Sequence, residues 1–402
     1  MIAPLLTPEL CLPADHARAC LAGRAMRPGI GPAVVALRGE ELFDISAHAP
    51  TLSALCERED APALVRSAPG EPIGSVAGVL ANSAEQGRDE GRPWLLAPCD
   101  LQVLKAAGVT FARSMVERVI EERARGNPDE AAAARARMGA LAGGDLGAVV
   151  PGSEAAARLK QALLAQGLWS QYLEVGIGPD AEVFTKAPVL AAVGLGADIG
   201  IHPASRWNNP EPEVVLAVAS SGRVVGASLG NDVNLRDFEG RSALLLSKAK
   251  DNNASAAIGP FLRLFDALFT IDTVRQAEVR LEVVGADGFR LAGHSSMRQI
   301  SRDPLEIVAQ TVNANHQYPD GFLLYLGTMF APIEDRHEQG GGFTHEIGDI
   351  VTIATPSLGA LVNRVERSDR VAPWRFGIGA LMRNLADRGL LRQAVGGGPG
   401  TR

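Results

Sequence analysis

The chain has 402 residues, 46% of them hydrophobic and 21% charged, with a formal net charge of −7. That length accommodates one large or two medium domains, and a mildly acidic chain without Lys/Arg clusters argues against nucleic acid as its main partner. No apolar run reaches the length of a membrane span. The start, Met1-Ile2-Ala3-Pro4-Leu5-Leu6, lacks the basic region and apolar stretch of a secretion signal, so a cytoplasmic protein is expected.

In chain order, Cys11, Cys20, Cys56 and Cys99 all lie in the first hundred residues with no CxxC spacing, which reads as reduced, partly buried thiols. Ala33–Leu37 and Glu41–Ile45 form a hairpin around Arg38-Gly39. Residues 1–95 read as a small α+β domain that ends in a Gly/Arg/Asp-rich linker over 86–93. Residues 96–170 read as a helical lid or connecting segment. Within it Phe111, Met115 and Val119 recur at helical spacing, Glu117, Arg118, Glu121 and Arg125 pair along a solvated face, and alanine-rich helices follow near 129–141 and 153–166. From Tyr172 short strands dominate to about residue 366, then a helix spans about 377–388. Residues 171–392 form a third, β-rich domain, and 393–402 a disordered tail.

The chemistry concentrates in Glu211-Pro212-Glu213. Residues two apart on a strand point to one face, so the two carboxylates project together. The run Val214–Val218, a break at Ser220-Ser221-Gly222-Arg223 and the run Val224–Leu229 predict a hairpin with Ser221-Gly222 as its loop. The register that pairs Ser220 with Arg223 also pairs Glu211 with Asp232. Three carboxylates so placed suit a hard cation, Mg²⁺ or Mn²⁺, with positions left open for a chelating 2-oxo acid. Such an ion would polarise the keto group and acidify the neighbouring carbon.

Further segments carry a resemblance. Phe184-Thr185-Lys186-Ala187-Pro188, Glu211-Pro212-Glu213, Asp232 through Arg236-Asp237, Ala249-Lys250 with Gly259-Pro260, and Gly327-Thr328 occur in order. Gly348-Asp349-Ile350-Val351 with Gly359–Val365 closes the series. Over residues 172–366 the chain resembles the catalytic domain of the fumarylacetoacetate hydrolase superfamily. Over nearly its whole length, including Ala107–Phe111 and Trp207–Glu211, it is similar to that superfamily's bacterial 2-keto-3-deoxy-sugar-acid dehydratases. The resemblance implies an α+β fold: a small N-terminal α/β domain, a helical lid, and a catalytic domain built as a mixed β-roll or sandwich.

It also implies a lyase that uses Mg²⁺ (or Mn²⁺) to dehydrate a 2-keto-3-deoxy pentonate, such as 2-keto-3-deoxy-D-xylonate, to 2,5-dioxopentanoate. Glu211, Glu213 and Asp232 would be metal ligands, Lys250 and Glu182 catalytic, Thr328 and Lys186 substrate-binding, and Arg236 and Asp237 supports of the metal loop. Lys186 has a second reading, as the structural partner of a site carboxylate. The hydrolases place a His/Glu pair in the lid, and this chain has Ser114 and Glu117 there; serine cannot serve as the imidazole base, which disfavours hydrolysis. Hydrolysis of a 2,4-diketo acid and non-catalytic sugar-acid binding stay open as alternatives. His316 and His345 are candidates for the mouth of the site, and a homodimer or homotetramer is expected by resemblance.

Overall fold

The computed structural model describes residues 2–111, 115, 118–119, 149–330, 332, 334–337 and 342–391. Eleven described strands join one sheet. Its order is Glu71–Ser75, Glu41–Asp44, Gly31–Arg38, Leu21–Arg27, Ala256–Leu264, Val224–Asp232, Pro212–Val218, Phe322–Tyr325, Val103–Ala107 and Val183–Ala187, with Trp94–Leu96 added against Leu21–Arg27. Neighbours are antiparallel except Phe322–Tyr325 beside Val103–Ala107. A five-stranded sheet runs Arg290–Ser296, Glu278–Val284, Ile350–Thr355, Gly359–Arg367, Asp198–Ile201.

The side-chain alternation of a strand explains the layering. Val214, Leu216 and Val218 face the smaller sheet and share a buried cluster with Leu281, Ile353 and Leu361. Val215 and Ala217 face the opposite way, into a second cluster with Ile45, Leu52 and Leu55 under the helix Leu52–Glu57. A strand covered on both faces reads as a continuous apolar run, as Val214–Val218 does. Each such side chain contributes roughly 1.5–3 kcal/mol by leaving water.

The expected α+β class holds. The hairpin of residues 33–45 forms, as Gly31–Arg38 against Glu41–Asp44. Its sheet does not close at residue 95: Leu21 and Ala22 pair with Arg263 and Leu262, so the first strands extend the large sheet. Glu154–Ala165 is helical, with Ser153 Oγ accepting from Ala156 N at its start, and Ile378–Asp387 is the last helix.

Two expectations fail for tertiary reasons. Val103–Ala107, read within a helical stretch, is a strand because Phe322–Tyr325 and Val183–Ala187 flank it with backbone partners. Gln171–Ile177, read as the onset of strands, is a helix: Ser170 Oγ accepts from Tyr172 N, and Leu173 and Ile177 bury one turn apart against Met115 and Val119. The helix near 129–141, Ser114, Glu117, Glu121, Arg125 and the tail from 393 lie outside the described residues.

All four cysteines are free and buried. Burial pushes the thiols of Cys11 and Cys99 up to about 12. No described helix is long and apolar enough to cross a membrane.

Candidate active site

Pro212–Val218 and Val224–Asp232 form the expected hairpin, with Pro212 opposite Asn231 and Glu213 opposite Gly230. Asp232 N donates to Glu211 O at 3.0 Å, so the register at this end is the one the sequence implies. The far end differs. A bulge after Ala217 pairs Val218 with Val224, and the turn closes from Ala219 to Arg223, one residue wider than a Ser221-Gly222 loop. The slip lies beyond the pairs that set the site, so the carboxylates keep their places.

Glu211, Glu213 and Asp232 are each at most 1% exposed. Each offers an oxygen within 4.8 Å of the others. Glu213 Oε2 accepts from Gly327 N at 2.7 Å. Its Oε1 is buried and has no hydrogen-bond partner among the described residues. Burial, then the Asp232 and Glu211 charges, raise the Glu213 carboxyl well above the usual range. An all-oxygen donor set with one orphaned buried oxygen fits a hard divalent cation such as Mg²⁺ or Mn²⁺.

Gly327 sits at φ +100°, and a Cβ there would lie 2.1 Å from Thr110 Oγ1 and 2.6 Å from Gly108 O. Gly327→Ala is therefore expected to cost at least about 1–3 kcal/mol and to pull the Gly327 N–H off Glu213. Chemical denaturation with a parallel metal titration would register both effects.

Cations crowd the same carboxylates. Lys250, at the end of the short helix Leu246–Lys250, donates from Nζ to Glu211 and, at 2.9 Å, to Asp232. Burial would lower its pKa, but Asp232, Glu211 and Glu239 outweigh burial and hold it above the ordinary lysine value. Lys186 lies behind Asp232, its Nζ 2.7 Å from Oδ1, and donates to Val233 O at 3.1 Å. It is fully buried and not among the residues that line the cavity, and its ion pair with Asp232 is the contact its second reading expects. Burial, opposed mainly by Asp232, leaves its pKa low. Asp232 answers in kind: burial raises its carboxyl, and the two lysines more than offset that, so it stays below its usual value.

Glu182 and Thr328 line one cavity with Lys250, Glu211 and Phe184. Gly108 makes room for Glu182: a Cβ on Gly108 would stand 1.8 Å from Glu182 Oε2. Burial, then the Glu239 charge, raises the Glu182 pKa. Arg236 and Asp237 lie beneath rather than in the cavity. Asp237 accepts from Ser205 Oγ at 2.8 Å and Arg206 N at 2.9 Å, and the Arg236 guanidinium lies 5.4 Å from the Trp207 ring. Both brace the loop that leads into Glu211.

Two site residues escape sequence reasoning. Arg118, expected on a solvated face, is 8% exposed and reaches Glu211 Oε1 at 2.5 Å and Glu239 Oε2 at 2.8 Å. Helical spacing says which residues share a face, not what a distant strand brings to it. Glu239 also accepts from Asn234 Nδ2 at 2.7 Å. Burial would raise its carboxyl, but Arg118 and Lys250 outweigh burial and hold it low. Its place a few residues past Asp232, on the helix Arg236–Glu239, was the available signal.

The two histidines do not reach the mouth. His316 stacks edge-on to Tyr318 with ring centroids 4.6 Å apart. His345 is buried and its Nδ1 lies 3.2 Å from Asp349 Oδ2, while Arg336 grips the same carboxylate at 2.5 and 2.8 Å. Burial alone would raise the Asp349 carboxyl; the bonds from His345 and Arg336 hold it at about 2, against 3.8 ordinarily. A depressed acid stabilises above its unfolded pKa and loses that contribution as pH falls through the folded one. Wild type should lose about 2 kcal/mol of stability from this group between about pH 4 and pH 2. Asp349→Asn, followed by denaturant unfolding across that window, should lack the segment.

No family model matches the sequence. Over 190 residues the chain is 28% identical to the 2-dehydro-3-deoxy-D-arabinonate dehydratase of Saccharolobus solfataricus, covering 47% of this chain and 60% of that protein. Over 194 residues it is 27% identical to a probable 2-keto-3-deoxyxylonate dehydratase of Haloferax volcanii, covering 48% of this chain and 63% of that protein. The chain thus spans less than two thirds of the length of the curated relatives it matches.

Among solved structures, the apo form of 2-keto-3-deoxy-D-arabinonate dehydratase aligns over 86% of this chain and 99% of its own, at 19% identity and a TM-score of 0.61. The same enzyme complexed with magnesium and 2,5-dioxopentanoate aligns over the same shares at 18% identity and a TM-score of 0.59. The chain shares the fold of 2-keto-3-deoxy-D-arabinonate dehydratase over most of its length, and its similarity to proteins named as 2-keto-3-deoxy-sugar-acid dehydratases agrees with the resemblance read from its motifs.

Proposed function

We propose that the protein is a Mg²⁺-dependent hydro-lyase that dehydrates a 2-keto-3-deoxy pentonate, of the 2-keto-3-deoxy-D-xylonate type, to 2,5-dioxopentanoate. The observation that carries this reading is a raised-pKa carboxyl, Glu182, in one cavity with Lys250 and the Glu211 edge of the carboxylate cluster. The names of the similar proteins support the same chemistry. Glu211, Glu213 and Asp232 would hold the ion, which when bound supplies Lewis acidity at the 1-carboxylate and 2-keto oxygens.

The remaining work falls to side chains. Glu182, whose pKa burial raises, gives a proton to the C4 hydroxyl, which leaves as water while solvent water takes a C3 proton and a C3–C4 double bond forms. As a carboxylate, Glu182 then takes a proton from C5 and returns it to C3, which gives the C5 enol that tautomerises to the aldehyde. Lys250, held as an ammonium ion, and Thr328 orient the substrate carboxylate. Buried free thiols suit a reducing compartment, in support of a cytoplasmic enzyme, and a homodimer or homotetramer belongs to the same proposal.

The test is a product assay. With 2-keto-3-deoxy-D-xylonate, aldehyde should appear with Mg²⁺ and stop with chelator. Release of pyruvate from an acylpyruvate, with no aldehyde from the sugar acid, would replace dehydration by hydrolysis.

A further inference from the structure

A second cavity of about 290 Å³ adjoins the site, and Glu182, Glu239 and Leu246 line both. The inner cavity offers only about 20 Å³ while Lys250 and Arg118 lie across the carboxylates. Beyond the shared residues the second one is walled mainly by Val175, Val183, Tyr172 and Ala243, with Gln171 exposed at its rim.

The order of groups along the cavities sets a direction for the substrate. On the dehydratase reading, on which this inference rests, C1 and C2 lie at the carboxylate cluster and C4 at Glu182. Any atom past C4 then points across Glu182 and Glu239 toward the second cavity. A pentonate has one carbon left at that point. The space is far larger: it is nearly twice the roughly 150 Å³ of an apolar cavity that holds a benzene molecule. The space opens to solvent past Gln171 and Ala243, so a sixth carbon can enter it without displacing a wall.

We infer that this cavity is a distal subsite, and that the enzyme binds 2-keto-3-deoxy acids of six carbons at least as well as those of five. The C5 hydroxyl of such an acid meets Glu239 at the neck, where the carboxylate already accepts hydrogen bonds from Asn234 and Arg118. C6 occupies the space beside Val175 and Ala243. Val175 and Ala243 are the residues that set chain length.

Calorimetric titration with Mg²⁺ present, using the C4-deoxy analogues of 2-keto-3-deoxy-D-xylonate and 2-keto-3-deoxy-D-gluconate, which have no C4 hydroxyl to lose, tests this without depending on turnover. Wild type should bind the six-carbon acid no more weakly than the five-carbon acid. Val175→Trp should shift the ratio of their dissociation constants at least about tenfold against the six-carbon acid, the scale on which a pocket discriminates one carbon. Ala243→Phe, at an exposed wall position where folding is not at stake, should shift it in the same sense. Six-carbon binding at least tenfold weaker in wild type, or equal losses for both acids in both variants, would overturn the inference. If the binding order holds while neither parent acid is dehydrated, the subsite stands and the dehydratase reading falls.

Discussion

A Glu213→Gln protein should fold normally, gain no thermal stability from Mg²⁺, and lose turnover by more than the roughly 10–100-fold that removal of an outer-shell partner costs a metal enzyme. The reasoning starts from the carboxyl itself. Burial, Asp232 and Glu211 press it toward its protonated form, so a neutral amide is a close stand-in for it in the ion-free protein. The Gln Oε1 can still accept from Gly327 N, keeping the turn in place. What the amide cannot supply is the second anionic oxygen, the one left without a partner among the described residues. The substitution thus separates metal binding from folding. Differential scanning calorimetry with and without Mg²⁺, beside a rate measurement, checks both halves.

Lys250→Met should have the opposite signature. Its ammonium is the counter-ion of Glu211 and Asp232, and removing one partner from a buried ionic cluster costs about 3–5 kcal/mol because the others are left uncompensated. Methionine keeps the bulk and the contact with Phe184, whose ring centre is 5.8 Å from Nζ, so packing loss is not the main effect. Ion-free variant should melt well below wild type. Mg²⁺ should recover part of that loss by mass action, since the dication neutralises the same carboxylates. Turnover should stay low even when metal restores stability, because the substrate carboxylate has lost its ammonium. Recovery of full activity at saturating Mg²⁺ would reduce Lys250 to a structural counter-ion.

The carboxylate face was legible in the sequence because its geometry is local. A period of two puts Glu211 and Glu213 on one face, and one hairpin register brings Asp232 to them. The loop of that hairpin was not legible: the bulge at Ala217 depends on packing at the far end of the strand. Arg118 and Glu239 were missed for the complementary reason. Their pairing joins residues 121 apart, and nothing in the charge spacing around Arg118 distinguishes a solvated guanidinium from one buried over Glu211. Lys186 was placed near the site but on two readings, which only the depth of Asp232 relative to the cavity separates. Val103–Ala107 and Gln171–Ile177 show the same limit at the level of elements. The first is made a strand by neighbours far along the chain, and the second a helix whose Leu173 and Ile177 bury against Met115 and Val119, some sixty residues earlier.

The most direct measurement is the initial rate of 2,5-dioxopentanoate formation from 2-keto-3-deoxy-D-xylonate as Mg²⁺ is titrated into chelator-treated protein, with Glu213→Gln as the control. A saturable, Mg²⁺-dependent rate in wild type and none in the variant is the predicted result. A wild-type rate that is unchanged by complete removal of divalent ions, or a variant as active as wild type, would contradict the assignment of Glu211, Glu213 and Asp232 as the metal face of a dehydratase.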